Sequence, residues 1–261
     1  MNNLSTIVII GSGNLATHLA VALKAAGHTI MQVLSRTEEH AHELAERIGC
    51  QYTTHFDDII CNADFYIISV KDDAVAGVAQ SVARHIDSER GIMLHTAGSV
   101  SLDVLRQTNI RCGVLYPMQT FSKGRSVDFH GIPVFIEGSD DAALENIRTL
   151  ASGISRSVVE ADSSRRAKIH LAAVLASNLA NHCYRLAERV MQQEGLDFQL
   201  LLPLIEETAR KVSTMSPREA QTGPMIRYDT GVMQRQESMI DNDLTRQIYR
   251  LMAQSIHQDY I

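Results

Sequence analysis

The run Thr6-Ile7-Val8-Ile9-Ile10-Gly11-Ser12-Gly13-Asn14-Leu15-Ala16 constrains this chain more than any other stretch. Five β-branched residues favour a strand, and the helix-period segment that follows to Gly27 makes the glycines a strand-to-helix turn. Gly11 permits the tight exit from the strand, Gly13 lets the backbone approach a pyrophosphate, and the small Ala16 lets helix and strand pack closely. The helix start offers free N–H groups and a partial positive charge to a phosphate. Gly11, Ser12, Gly13, Asn14 and Leu15 are therefore the expected dinucleotide-binding turn. Its place after an apolar strand and before a helix separates it from a chance match.

Short β-branched runs then alternate with helical segments, the pattern of a parallel sheet covered on both faces. Strands are expected at 6–10, 29–34, 65–70, 91–95, 111–116, 132–137 and 157–160, and helices near 14–26, 37–48, 74–84, 102–106 and 141–153. Beyond about residue 163 only helical patterns remain. The longest, 164–193, repeats apolar residues every three or four positions, with a second apolar line through Leu171, Leu175 and Leu186. Such a helix is expected to be packed on several sides. Ser216-Pro217-Arg218-Glu219 reads as a capping box opening a short helix, and a last helix covers about 242–257. The fold class is thus α/β, a Rossmann-like mostly parallel sheet (1–162) followed by an all-helical substrate and dimerisation domain (163–261).

Cofactor choice is written at the end of the second strand. An NAD enzyme usually presents an acidic residue there to the ribose hydroxyls, whereas this chain presents Ser35-Arg36-Thr37. A guanidinium can pair with a 2′-phosphate that a carboxylate would repel, so NADP is expected. Val70 and Lys71 follow a later strand and should border the cofactor, while Asp72 and Asp73 can equally be helix N-caps. The loops 69–74, 95–99 and 116–121 would form the floor where a substrate meets the nicotinamide.

Hydride transfer requires positioned reactants and a group that supplies or removes a proton. His95 is one candidate. On the long helix His170, Ser177 and Asn181 fall on one stripe, flanked by Lys168, Asn178 and His182. Either they face a cleft or they satisfy one another inside a helical core. His95, Lys168, His170 and Asn178 are the candidate catalytic set. In the segment 221–229 Gly223-Pro224 breaks the helical pattern, either to turn backbone toward a ligand or partner or as a helix corner capped by Asp229.

Composition excludes other classes. The net charge of −6 and scattered basic residues provide no face for a nucleic acid. No apolar run approaches the ~20 residues that span a bilayer, and the first residues carry neither a basic region nor a cleavage site, so no signal peptide is expected. Cys50, Cys61, Cys112 and Cys183 lack metal-ligand spacing, which fits reduced thiols in a cytoplasmic protein without a metal.

At these residues the chain resembles a bacterial Rossmann-like NADP oxidoreductase family with a helical C-terminal domain of unassigned function. That family is related to pyrroline-5-carboxylate reductase, ketopantoate reductase and the deazaflavin-dependent NADP reductases. The resemblance spans the length through Gly11–Ala16, Ser69–Asp73, His95–Gly98, Pro117–Phe121, His170–Ala173 with Ser177 and Asn178, and Thr222–Pro224 with Arg227 and Asp229. It implies an active cleft between domains and a homodimer formed through the helical domain. Two positions depart from it. Family members often carry His where Tyr116 and Gln236 stand, so the resemblance assigns the proton to neither. The expected function is hydride transfer to or from a small carbonyl or imine substrate. The alternative is a non-catalytic NADP-binding redox sensor acting through a protein partner. A methyltransferase is disfavoured by the missing ribose-binding acid at the second strand.

Overall fold

The computed structural model describes residues 4–261. Eight strands form one sheet in the order β3-β2-β1-β4-β5-β6-β7-β8. They are β1 (Thr6–Ile10), β2 (Thr29–Leu34), β3 (Gln51–Thr53), β4 (Phe65–Ile68), β5 (Ile92–His95), β6 (Cys112–Pro117), β7 (Val134–Gly138) and β8 (Val158–Glu160). Helices α1 (Asn14–Ala25), α2 (Glu38–Ile48), α3 (Val75–Ala83), α4 (Asp103–Arg106) and α5 (Asp141–Ser152) connect them. Because side chains alternate along a strand, Ile7 and Ile9 enter one core with Leu19, Leu23 and Leu44, while Val8 and Ile10 enter a second with Val75, Val82 and Leu102. Both faces of the central strands are therefore dry, which is why their sequences are near-continuous apolar runs.

Two features were not legible in the sequence. Strand β3, Gln-Tyr-Thr, has no apolar run to announce it, since an edge strand half open to solvent does not require one. Strands β6 and β7 pair antiparallel, Val114 opposite Glu137, whereas the other neighbours pair parallel. The connection between them has only the 3-10 turn Phe129–Gly131 and no α-helix, and without a crossover helix the chain returns beside β6 in the opposite direction.

The chain divides into two compact units, the first ending at Ser177 and the second running from Asn178 to Ile261. The expected continuous helix is three pieces: α6 (Ser163–Val174), a π-helical segment (Leu175–Leu179) and α7 (Ala180–Gln193). One extra residue in the π turn breaks the 3.6 period that placed His170, Ser177 and Asn181 on one stripe, and the Ser177 hydroxyl donates to the Ala173 carbonyl at 2.7 Å. The expected packing on several sides is also corrected. Leu171, Leu175, Leu179 and Val190 are each at least half exposed, and no residue of α7 is buried.

The second unit continues with α8 (Leu202–Lys211), α9 (Pro217–Ala220), α10 (Thr230–Ser238) and α11 (Asp243–Gln258). The capping box at Ser216 and Glu219 forms as its sequence implies. Asp229 caps α10 by accepting from the Val232 N–H at 3.1 Å, so the break at Gly223-Pro224 ends in a helix cap. Tyr249 on α11 donates to Gln236 on α10 at 2.7 Å. Ala253 is the one buried residue of this unit, and both apolar cores lie in the first unit. Among the described residues no helix is long and apolar enough to cross a membrane.

Candidate dinucleotide cleft

At the turn between β1 and α1, Gly11 adopts φ +116°, a conformation that disfavours any side chain. Its N–H donates to the Leu34 carbonyl at 2.8 Å, and a Cβ built on it would lie 2.1 Å from the Ser69 carbonyl oxygen. The glycine thus lets β1 leave the sheet tightly against β4. Gly13 is different. Its φ of −74° suits any residue, yet a Cβ there would meet no atom within 4 Å. The first turn of α1 carries no acidic residue and no side-chain cap, so its N–H groups are left for an anion. These are the features a bound pyrophosphate requires.

Neighbouring groups hold the turn in place. The hydroxyls of Ser12 and Ser35 share a hydrogen bond of 2.7 Å, and the Asn14 amide donates to the Phe121 carbonyl at 2.9 Å. Exposed Arg36 and Thr37 follow Ser35 at the end of β2. From this turn a cleft of about 710 Å³ extends over the carboxyl ends of the strands, where open α/β sheets place their ligands. Its walls are residues 12–15, 35–37, 69–72 and 96–98, with His40, Tyr116, Lys123 and His170. Nine of the ten residues expected to bind the cofactor line it; the tenth, Gly11, forms the turn behind Ser12 and is packed against Ser69. Asp72 is not an N-cap; its carboxylate accepts from the Ser99 hydroxyl. Thr96 donates to Ser69 at 3.2 Å.

The four candidate catalytic residues fare differently. His95 ends β5 wholly buried, outside the cleft lining. Its Nδ1 accepts from the Ala97 N–H at 3.2 Å, and its Nε2 has no hydrogen-bond partner among the described residues. Burial, and then the charge of Arg166, push its pKa down to about 3, so the ring is neutral. Arg166 is itself fully buried, paired with Glu137 and donating to the Val100 carbonyl. Lys168 is exposed and does not line the cleft. Asn178 lies in the π segment and begins the second unit. His170 does line the cleft.

Sequence reasoning missed the partner of His170. The Tyr116 hydroxyl and His170 Nδ1 are 3.0 Å apart, and their rings meet edge-on with centroids 5.8 Å apart. Gly98 makes room for the pair, because a Cβ there would lie 2.6 Å from His170 Nδ1 and 2.8 Å from Tyr116 Cζ. The available signal was positional: Tyr116 is the penultimate residue of β6, at the rim where ligands bind.

Comparison with known proteins agrees with this geometry. Residues 6–95 match the family described as "NADP oxidoreductase coenzyme F420-dependent", and residues 132–256 match "Domain of unknown function (DUF2520)". A Bacteroides fragilis protein carrying the provisional designation NADP oxidoreductase is 44% identical, with 99% of this chain and 100% of that one covered at a TM-score of 0.93. The chain belongs to this NADP oxidoreductase family.

More distant structures share the fold alone. A pyrroline-5-carboxylate reductase from Coxiella burnetii is 16% identical, covering 99% of this chain and 98% of that one, with a TM-score of 0.62. An imine reductase from Myxococcus stipitatus in complex with NADP+ is 17% identical, covering 97% and 92%, with a TM-score of 0.65. The curated "Glucose-fructose oxidoreductase domain-containing protein 2" of Xenopus tropicalis is 29% identical over 138 residues, 52% of this chain. This chain spans about a third of that relative's length, 34%. The family members are NADP-dependent oxidoreductases, and the fold is one that binds a pyridine nucleotide.

Proposed function

We propose that this protein binds NADP(H) in the cleft and moves hydride to or from a small carbonyl or imine substrate. The observation that carries the reading is that Ser12–Leu15, Ser35-Arg36-Thr37 and the Tyr116–His170 pair line one cleft. The N-terminus of α1 would hold the pyrophosphate, Arg36 with Ser35 and Thr37 would hold the 2′-phosphate, and Val70 and Lys71 would border the rest of the cofactor. When bound, the cofactor supplies hydride chemistry. His170 stays in the catalytic set. The neutral, enclosed His95 and the solvated Lys168 leave it, and Asn178, in the π segment, is retained as a substrate-orienting candidate. Cofactor binding is assigned to the sheet unit and dimerisation to the helical unit.

A homodimer through the helical unit belongs to the same proposal. A unit whose single buried residue is Ala253 has no core of its own, and helices exposing Leu179, Val190, Leu200 and Leu204 present more apolar surface than a monomer sustains.

Calorimetric titration of the protein and of Arg36→Glu with NADPH and NADH tests the reading. Losing a charge-assisted pair of about 1.5–3 kcal/mol should weaken NADPH binding roughly ten- to a hundredfold and leave NADH nearly unchanged. Equal losses for both would refute the 2′-phosphate assignment. Tight NADPH binding without turnover of ketones, aldehydes or cyclic imines would favour the sensor.

A further inference from the structure

The walls of the cleft hold several proton-bearing side chains, most of them committed elsewhere. The Lys123 ammonium pairs with Glu43 at 2.8 Å, Asp72 accepts from Ser99, and Thr96 donates to Ser69. Tyr116 and His170 differ because they are bonded to each other and both line the cleft. With the pyrophosphate at β1 and the adenosine toward β2, strand order puts the nicotinamide end over β4 to β6. Tyr116 stands at the carboxyl end of β6. We propose that Tyr116 is the residue that gives the substrate its proton during reduction and that His170, acting through the phenol, holds it in position and resupplies it. This inference rests on the reductase reading above.

The geometry carries the assignment. Tyr116 is 8% exposed, with Phe135 tilted against its ring at 6.1 Å, so the ring is clamped while the hydroxyl reaches the cleft. Gly98 lacks the one atom that would separate the two rings. Burial pushes the Tyr116 hydroxyl up, keeping it protonated, while the buried Arg166 guanidinium pulls the other way and Asp72 adds to the rise. Arg166 and Asp72 are the charged groups that act on the phenol, and Arg166 is the one that favours its anion.

The proton balance is complete. Reduction of a carbonyl or imine adds hydride to carbon and needs a proton on oxygen or nitrogen. As hydride arrives, the Tyr116 O–H bond breaks and an O–H or N–H bond forms on the substrate. The phenolate left behind accepts the hydrogen bond from His170 Nδ1–H and then that proton. Nε2 of the partly exposed imidazole takes one from water. One hydride and one solvent proton have been added, and His170 returns to its starting tautomer by exchange with water.

The test uses Tyr116→Phe, which keeps the ring, and His170→Ala, each in the full chain. Turnover is followed as NADPH oxidation with a panel of small ketones, aldehydes and cyclic imines, and binding by calorimetry. Tyr116→Phe should bind NADPH as the parent does and lose about a hundredfold or more in kcat, the range of a missing general acid. His170→Ala should lose kcat, not NADPH affinity, and recover part of it when free imidazole is added, which a merely structural role would not produce. In the protein without cofactor, nitrogen NMR should place the His170 proton on Nδ1, and Tyr116→Phe should abolish that preference. Parent turnover with undiminished kcat in Tyr116→Phe would overturn the donor role alone. Absence of turnover by the parent on the whole panel would overturn the reductase reading and the donor role with it.

Discussion

Two glycines of one motif should respond in opposite ways to the same substitution. In Gly11→Ala the new methyl would sit 2.1 Å from the Ser69 carbonyl oxygen and 2.9 Å from its carbon, at φ +116°. Neither side can yield freely, because the Ser69 N–H donates to the Ile10 carbonyl at 2.7 Å and the Gly11 N–H to the Leu34 carbonyl at 2.8 Å. The unfavourable φ costs about 1–3 kcal/mol, and a sacrificed buried hydrogen bond about 1–3 kcal/mol more. The expected loss is roughly 2–6 kcal/mol, a large part of a total of about 5–15. Gly13→Ala should fold normally. Alanine adopts φ −74°, the methyl meets no atom, and the unfolded-state gain of about 0.4–1 kcal/mol offsets the poorer N-cap. Its cost appears on binding, because the methyl fills the space where a pyrophosphate must approach. A lost charged hydrogen bond of about 1.5–3 kcal/mol means a tenfold or greater rise in the NADPH Kd. Urea unfolding reads the first quantity and calorimetric titration the second. Equal stability losses for the two variants, or unaltered NADPH binding by Gly13→Ala, would refute the reasoning.

Two further expectations concern stability and assembly. The His95 pKa is lowered from 6.5 to about 3 in the folded protein, so between those values the unfolded state binds the extra proton and stability falls as pH falls. From about pH 5.5 to 4.5 the protein should lose about 1.4 kcal/mol more than His95→Gln; equal slopes in urea unfolding would show that His95 titrates normally. Val190 and Leu179 are 51% and 50% exposed in the single chain, so Val190→Asp and Leu179→Asp should leave each chain folded and halve the mass seen by sedimentation. A parent sedimenting at 28.9 kDa would refute the dimer.

Features with short-range causes were legible in the sequence. The glycine turn could be read because its geometry depends on adjacent residues, and the central strands because burial on both faces demands unbroken apolar runs. The capping box could be read because Ser216 and Glu219 are three positions apart. Nine of the ten cofactor-binding candidates share one cleft for a related reason: strand ends in a parallel sheet collect on one edge.

The catalytic set was less legible because residue type does not reveal burial. His95 and His170 looked equivalent as letters, yet one is enclosed beside Arg166 and the other lines the cleft. The apolar period of the long helix was real, but what covers an apolar face is not encoded in the period, and this chain does not bury it.

By itself, then, the sequence determined the glycine turn, the fold class and the basic residue at the end of β2, each governed by neighbours along the chain. Tertiary structure alone decided that Tyr116 meets His170 across 54 positions and that Gly98 leaves room for them. It also decided that β7 runs against β6. Those outcomes depend on which distant surfaces are pressed together when the sheet closes over its helices, and local propensity carries no term for that.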